Sequence, residues 1–329
     1  MNDEFEWLKK IKAGSHRNYN VIQGIGDDAA LLKGKAETNQ ILCLDTMVEG
    51  IHFTKDTMEP FHIGYKALAS NISDIAAMGG RPLYYLVSVA LSNSWTEKEL
   101  LSIYEGMHYL ADSYKMTLLG GDTVSTKDSL VLSITVIGEV EENRKLLRSN
   151  ARAGDIVFVT GMLGDSAAGL ALLLKYTKKH PFTANEKKLI LSHQMPRPHV
   201  EEGRLLAGSH SRISLNDISD GIASEANEIA EASGVTLTLF YDRLPKSGEL
   251  ADYLPEQQEQ WILNGGEDYI LMGTMPREIF RDMQRKFNEN GMLLFEVGIV
   301  TAGNPEVYLI KNQERILLKK QGYNHFSSL

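Results

Sequence analysis

Cysteine is nearly absent: Cys43 is the only one in 329 residues, so no intrachain disulfide is available and a secreted disulfide scaffold is excluded. Long apolar runs are absent too. The longest, Leu83 to Leu91, is broken at Ser88 and falls far short of the ~20 residues a spanning helix needs. The first ten residues, MNDEFEWLKK, set acids where a signal peptide carries a basic and then an apolar segment, so a cytoplasmic protein is expected. Positive charge is in deficit, with 34 Lys and Arg against 43 Asp and Glu and a net charge of −9. No Lys/Arg cluster supplies the basic face that sequence-independent nucleic-acid binding requires. There is no G-x-x-x-x-G-K-[ST] phosphate loop, no H-E-x-x-H or paired Cys/His spacing for zinc, and no G-x-S-x-G nucleophile elbow. GIGDDA at 24–29 has dinucleotide-fingerprint spacing, but Asp27 and Asp28 would sit where the pyrophosphate should rest, and that reading is rejected.

What remains is ordinary globular material. Hydrophobic residues make up 43% and charged residues 23%, enough for a real core and against disorder, and the length suits roughly two domains. Period-two or β-rich runs fall at 41–44, 83–91, 130–140, 156–160, 235–240, 269–274 and 292–300. Helical spacing falls at 5–12, 62–78, 97–114, 166–175, 200–207, 222–232 and 277–288. The two kinds interleave along the whole chain, so the class is α/β or α+β. No repeat or linker separates domains. The mixed-charge stretch 139–154 is the best boundary, dividing the chain into residues 1–147 and 148–329.

Glycine next to acid recurs at Gly26-Asp27-Asp28, Gly121-Asp122-Thr123, Ser219-Asp220-Gly221 and Gly266-Glu267-Asp268. Such turns lie at strand ends, where α/β folds place their sites. For any single aspartate a helix cap or turn is the simpler explanation. Asp74 departs from this, because an acid among Ala, Ile and Met on a helix is costly unless paired or coordinated. If several acids converge, each pair ~4 Å apart repels by about 1 kcal/mol in water and ~4 kcal/mol at an effective dielectric of 20. They would then need cations, and a hard oxygen-rich site suits Mg²⁺. Spacing alone does not show convergence. The turn Gly161–Ser166, between a strand and a helix, is either a phosphate-binding nest or a capped structural turn. Arg148 is open between a surface charge and a phosphate contact.

Read in order, the motifs GIGDDAALL (24–32), LDTMVEGIHF (44–53), YKALASNISDIAAMGGRP (65–82), GGDTVS (120–125), RSNARAGDIVFVTGMLGDSAAGLALL (148–173), NDISDGIASE (216–225), NGGEDYILM (264–272) and GYNHF (322–326) span nearly the whole chain. Together they resemble the thiamine-monophosphate kinases, within the superfamily of aminoimidazole ribonucleotide synthetase. The resemblance implies transfer of the ATP γ-phosphoryl group to thiamine monophosphate. It implies an N-terminal dimerisation domain whose sheet joins a partner's in a homodimer, a C-terminal α/β domain, and a site in the cleft between them. It places Mg²⁺ ligands on Asp28, Asp45, Asp74, Asp122, Asp217 and Asp220, ATP contacts on Gly121, Asp122, Arg148 and Ser219, and thiamine-phosphate contacts on His52, Glu267 and Tyr323. No covalent nucleophile or general base is implied; charge in the transition state falls to the metal ligands and Arg148. One departure stands out. The family usually has Ser/Thr-Thr before the second-motif aspartate, but Cys43-Leu44 precede Asp45 here, which leaves only a backbone carbonyl to serve as a ligand there. Selenophosphate synthetase and the hydrogenase-maturation dehydratase carry terminal cysteines that this sequence lacks, and the purine enzyme lacks the GGEDY–GYNHF pair. The remaining alternatives are another ATP-using superfamily member or a non-catalytic nucleotide- or metal-binding module.

Overall fold

The computed structural model describes residues 20–23, 27–34 and 37–320. The expected helix at 5–12 and the GYNHF segment, with Tyr323, lie outside them. Chain order in the first half is β1 (Val21–Gln23), β2 (Ala30–Lys33), β3 (Thr38–Val48), α1 (Pro60–Ala77), β4 (Arg81–Leu91), α2 (Glu97–Tyr114), β5 (Thr117–Ser125) and β6 (Val131–Glu141). These strands form one sheet in the order β1-β2-β3-β6-β4-β5. Its spine is the antiparallel β3–β6 pair, in register from Thr38↔Glu141 to Val48↔Val131. Alternation explains the pairing: Ile41, Cys43 and Met47 face inward with Leu132, Ile134 and Val136, which fixes the register. β5 joins β4 in parallel and therefore needs a crossover, which α2 supplies from a Thr96–Glu99 capping box. The helices α1 and α2 lie close enough that a Cβ on Gly64 would meet the Ile103 carbonyl oxygen at 1.8 Å, and one on Gly106 the Phe61 carbonyl oxygen at 1.9 Å.

The second half runs β7 (Asp155–Val159), α3 (Asp165–Tyr176), α4 (Ala184–Gln194), α5 (Val200–Ala207), β8 (Ser214–Asp217), α6 (Ile222–Ser233), β9 (Thr236–Phe240), α7 (Pro255–Asn264), β10 (Leu271–Pro276), α8 (Arg277–Glu289), β11 (Phe295–Thr301), β12 (Val307–Lys311) and β13 (Glu314–Leu317). Its sheet is ordered β13-β12-β9-β11-β7-β10-β8, antiparallel except for β9–β12. β7 is buried along its whole length. One of its faces, through Ile156 and Phe158, joins the core shared with α1, α5, α8 and the first sheet. The other, through Val157 and Val159, packs under α3, α4, α6 and α7. The fold is thus mixed α/β, with the first half seated on one face of the second sheet. Among the described residues no helix is long and apolar enough to cross a membrane.

The sequence pattern missed several elements. β1, β2, β8 and β13 have only 3 or 4 residues, too short for period two to register. β5 is an edge strand with two exposed glycines, Gly120 and Gly121, at its middle, and its alternation is lost. α4 has no broad apolar stripe, but Thr183 and Glu186 form a capping box that marks its start.

Candidate active site

Helix α1 positions the site. It is almost wholly buried, yet Lys66, Ser70, Ser73 and Asp74 interrupt its apolar run at spacings that share one side of a helix. That side faces residues brought in from β3 and the second sheet. Ser73 donates to Asp217 Oδ2 at 2.6 Å, Lys66 donates to Glu267 Oε2 at 2.5 Å, and Ser70 Oγ donates back to the Ala67 carbonyl at 3.2 Å. Lys66 and Ser73 are buried at tolerable cost because each meets a carboxylate from the second half of the chain, whereas Asp74 meets other acids.

Carboxylate oxygens of Asp28, Asp74 and Asp217 all lie within 4.8 Å of one another. They arrive from the turn before β2, from α1 and from the end of β8. Asp45, on β3, is the fourth acid: its N–H donates to Asn71 Oδ1 at 3.1 Å, and its charge raises the proton affinity of both Asp74 and Asp217. Burial pushes Asp74 well above the ordinary carboxylate range, and the charges of Asp45, Asp217 and Asp28 add to it. Burial and then Asp28 do the same to Asp217. Asp28 is raised by burial against the opposing pull of Arg148, and Asp27 is pushed up to about 7 by burial and the Asp28 charge. Asp28 Oδ2 is buried without a hydrogen-bond partner among the described residues. A set of hard, mutually repelling oxygen donors with one orphaned lone-pair site fits a bound Mg²⁺ ion.

Arg148 is no surface charge. Its guanidinium pairs with Asp28 and Glu228, and Nε donates to Asn216 Oδ1 at 3.0 Å. Asn216 in turn donates to the buried Glu225, which also accepts from Ser219 Oγ at 3.3 Å and from Asp220 N–H at 3.0 Å. Ser219 and Asp220 therefore sit at the edge of the same polar network. Burial, reinforced by the charges of Glu228 and Asp220, raises Glu225 well above its usual range.

His52 and Glu267 lie near enough to interact electrostatically. His52 Nδ1 accepts from Val48 N–H at 3.0 Å. Glu267 and Tyr269 both hold left-handed backbone, at φ 65° and 50°, a conformation that costs non-glycine residues about 1 kcal/mol or more. Backbone hydrogen bonds impose it: Glu267 N–H to Ser219 O at 2.7 Å and Tyr269 N–H to Ile218 O at 2.9 Å. Gly266 is required beside them, since a Cβ there would meet Ser219 O at 2.3 Å.

Asp122 does not join the carboxylates. Gly121 shares a sheet row with Asp45 but lies three inter-strand spacings away, about 14 Å. Asp122 shares the next row with Ser88, Ser133 and Thr46, on the exposed face of the sheet. The Gly161–Ser166 turn is a capped structural turn: Asp268 accepts from Gly164 N–H at 2.8 Å and Ser166 N–H at 3.2 Å, so these donors are already used. Cys43 is buried, donating to the Asn71 carbonyl at 3.2 Å, and burial raises its thiol well above the usual range. Lys66, Ser73, His193, Asn216, Glu225 and Glu228 escaped the sequence reading. Lys66 carries the same signal that singled out Asp74, a charge inside an apolar helix.

Residues 26–140 match the family model "AIR synthase related protein, N-terminal domain" and residues 152–310 match "AIR synthase related protein, C-terminal domain". The thiamine-monophosphate kinase of Bacillus subtilis (strain 168) is 46% identical over 325 residues, which cover 98% of this chain and 99% of that one. The chain belongs to the thiamine-monophosphate kinases. The Escherichia coli (strain K12) member of that family is 35% identical over 317 residues, 94% of this chain and 93% of its own. The solved structure "AaThiL complexed with AMPPCP and TMP" superposes with a TM-score of 0.85 at 31% identity, covering 98% of this chain and 97% of that one. The hydrogenase maturation protein HypE, at 18% identity and a TM-score of 0.67 over 91% of this chain and 94% of its own, shares the fold alone.

Proposed function

We propose that the chain transfers the γ-phosphoryl group of ATP to thiamine monophosphate, giving thiamine diphosphate and ADP by direct in-line displacement. The observation that carries this reading is the meeting of Asp28, Asp74 and Asp217 within 4.8 Å, in a chain related along its length to thiamine-monophosphate kinases. The acceptor is itself a phosphate, whose oxygen is already anionic near neutral pH. The protein therefore has no hydroxyl to deprotonate, and its task is positioning and charge neutralisation. Asp28, Asp45, Asp74, Asp217 and Asp220 would hold Mg²⁺ ions, which, when bound, offset the repulsion between two polyanionic substrates. Arg148 adds a guanidinium at the same place and is assigned to the nucleotide phosphates together with Ser219. Glu267, His52 and Tyr323 are assigned to thiamine monophosphate. The anionic Glu267 complements the positively charged thiazolium of that substrate.

Gly121 and Asp122 are assigned to nucleotide and metal in an assembled homodimer. Their face of the first sheet exposes Leu44, Tyr84 and Val124, which a partner's sheet would cover. Residues 1–147 would form this dimerisation domain and 148–329 the domain that completes the site, in a cytoplasmic enzyme. The test is ADP formation with and without thiamine monophosphate across a Mg²⁺ series. ADP release that requires both supports the kinase. Release indifferent to the thiamine substrate points to another ATP-using superfamily member, and binding of ATP without turnover to a non-catalytic module.

A further inference from the structure

Resting on that reading of Glu267, we propose that Lys66 is a positioning residue for thiamine monophosphate, holding the Glu267 carboxylate against the cleft wall so that it presents a fixed anionic face to the substrate. Lys66 belongs to the first half of the chain and Glu267 to the second, 201 positions later, yet their contact is 2.5 Å. The Lys66 side chain is fully buried, whereas the Glu267 side chain keeps 26% of its surface exposed. The pair is therefore closed on the lysine side and open on the carboxylate side. That geometry suits a support placed behind a ligand-facing group. His193 completes the wall: its Nδ1 lies 3.3 Å from Glu267 Oε2 and 3.3 Å from Ser166 Oγ, and its ring nitrogens are each 3.4 Å from Lys66 Nζ.

The charges are consistent with this division of labour. Burial alone would raise Glu267, but the Lys66 ammonium brings it below its usual range and keeps it an acceptor. Burial and the neighbouring Lys66 charge hold His193 down at about 3, so it is neutral and contributes a dipole rather than a second cation. Orientation is shared with the backbone, whose left-handed turn at Glu267 is bonded to Ser219. Along α1, Lys66 stands eight residues from Asp74, about 12 Å at the helical rise. The same buried stripe thus supports the carboxylate end of the cleft at one point and the metal-ligating end at another. A lysine with a purely structural role would make no distinction between the two substrates. A positioning lysine would.

The test compares Lys66→Met, Lys66→Arg, Glu267→Gln and the double variant Lys66→Met/Glu267→Gln in the full-length protein. The double variant leaves no unpaired buried charge and guards against misfolding of the single one. Lys66→Met is expected to raise KM for thiamine monophosphate by about 10-fold or more while kcat and KM for ATP stay within about threefold. Lys66→Arg should restore most of the loss. Because Lys66 acts through Glu267, the double variant should match Glu267→Gln alone, and calorimetric titration with thiamine monophosphate should rank the variants in the same order. Multiplicative losses in the double variant, or equal losses toward both substrates, overturn the inference while leaving the substrate role of Glu267 intact. An unchanged KM in Glu267→Gln overturns that role, and the inference with it.

Discussion

Replacing Asp74 with asparagine should make the metal-free protein more stable and deaf to magnesium. Carboxylate oxygens of Asp28, Asp74 and Asp217 lie within 4.8 Å of one another. At that separation and an effective dielectric of 20, each ionised pair repels by about 3.5 kcal/mol. Asp74 takes part in two of the three pairs. Protonation already relieves part of this, as the upward shifts of all three acids indicate. The gain left for the amide is roughly 1–3 kcal/mol, or a melting temperature higher by about 2–6 °C for a chain of this size. An acid whose folded pKa is raised carries no penalty below its unfolded value near 3.9 and destabilises progressively as pH climbs from there toward the folded value, above which the penalty is constant. The gap between variant and wild type should therefore widen from pH 5 to pH 8. Scanning calorimetry in EDTA and then in Mg²⁺ measures both parts: the wild type should gain stability on adding Mg²⁺ and Asp74→Asn should not. A variant that melts lower than wild type in EDTA yet still responds to Mg²⁺ would refute the electrostatic reasoning.

Asp28→Asn and Asp122→Asn should each depress turnover by more than ~100-fold at saturating Mg²⁺ with the fold intact, as checked by steady-state kinetics and circular dichroism. Near-normal rates in both would remove the metal assignment. Glu141 binds both terminal nitrogens of Arg204, at 2.8 and 2.9 Å, and these hydrogen bonds bring its pKa down to about 2. Glu141→Gln should cost about 1 kcal/mol at pH 7, this pair being partly exposed. Because a depressed carboxylate stabilises only above its unfolded pKa, that difference should vanish in denaturant titrations as pH falls from 4.5 toward about 2. Leu44→Asp, on the exposed apolar face of the first sheet, should shift sedimentation from dimer to monomer and lower activity with it. A monomeric wild type would contradict the dimer proposal.

Much of the fold was legible because its central elements carry strong periodicity. β6 alternates along its whole length, and α1 and α2 each present 18 residues of helical spacing. The two short sheet-edge strands β8 and β13 were not legible, since four residues hold too few alternations. At the site, Asp74 could be read from composition alone, because no surface position accounts for an acid in ALASNISDIAAM. Lys66 carries the same signature eight residues earlier, but its partner Glu267 is supplied by the other half of the chain, which local sequence does not reveal. Asp122 shows the converse. Its motif matches the family, but sheet order sets it on the outer face, and sequence spacing carries no information about which face of a sheet a turn will occupy. The spacing after β7 fits either a nest or a cap, and only the arrival of Asp268 from a residue stretch about a hundred positions away decides for the cap.

On the proposed function, bound cations at the acidic cluster let one phosphate group pass directly between two anions. Phosphorus-32 transfer from γ-labelled ATP, followed in a single turnover with thiamine monophosphate and Mg²⁺, tests it most directly. All the label should appear in thiamine diphosphate, with none on the protein and none transferred in EDTA. Label released as inorganic phosphate, or recovered bound to the chain, would contradict it.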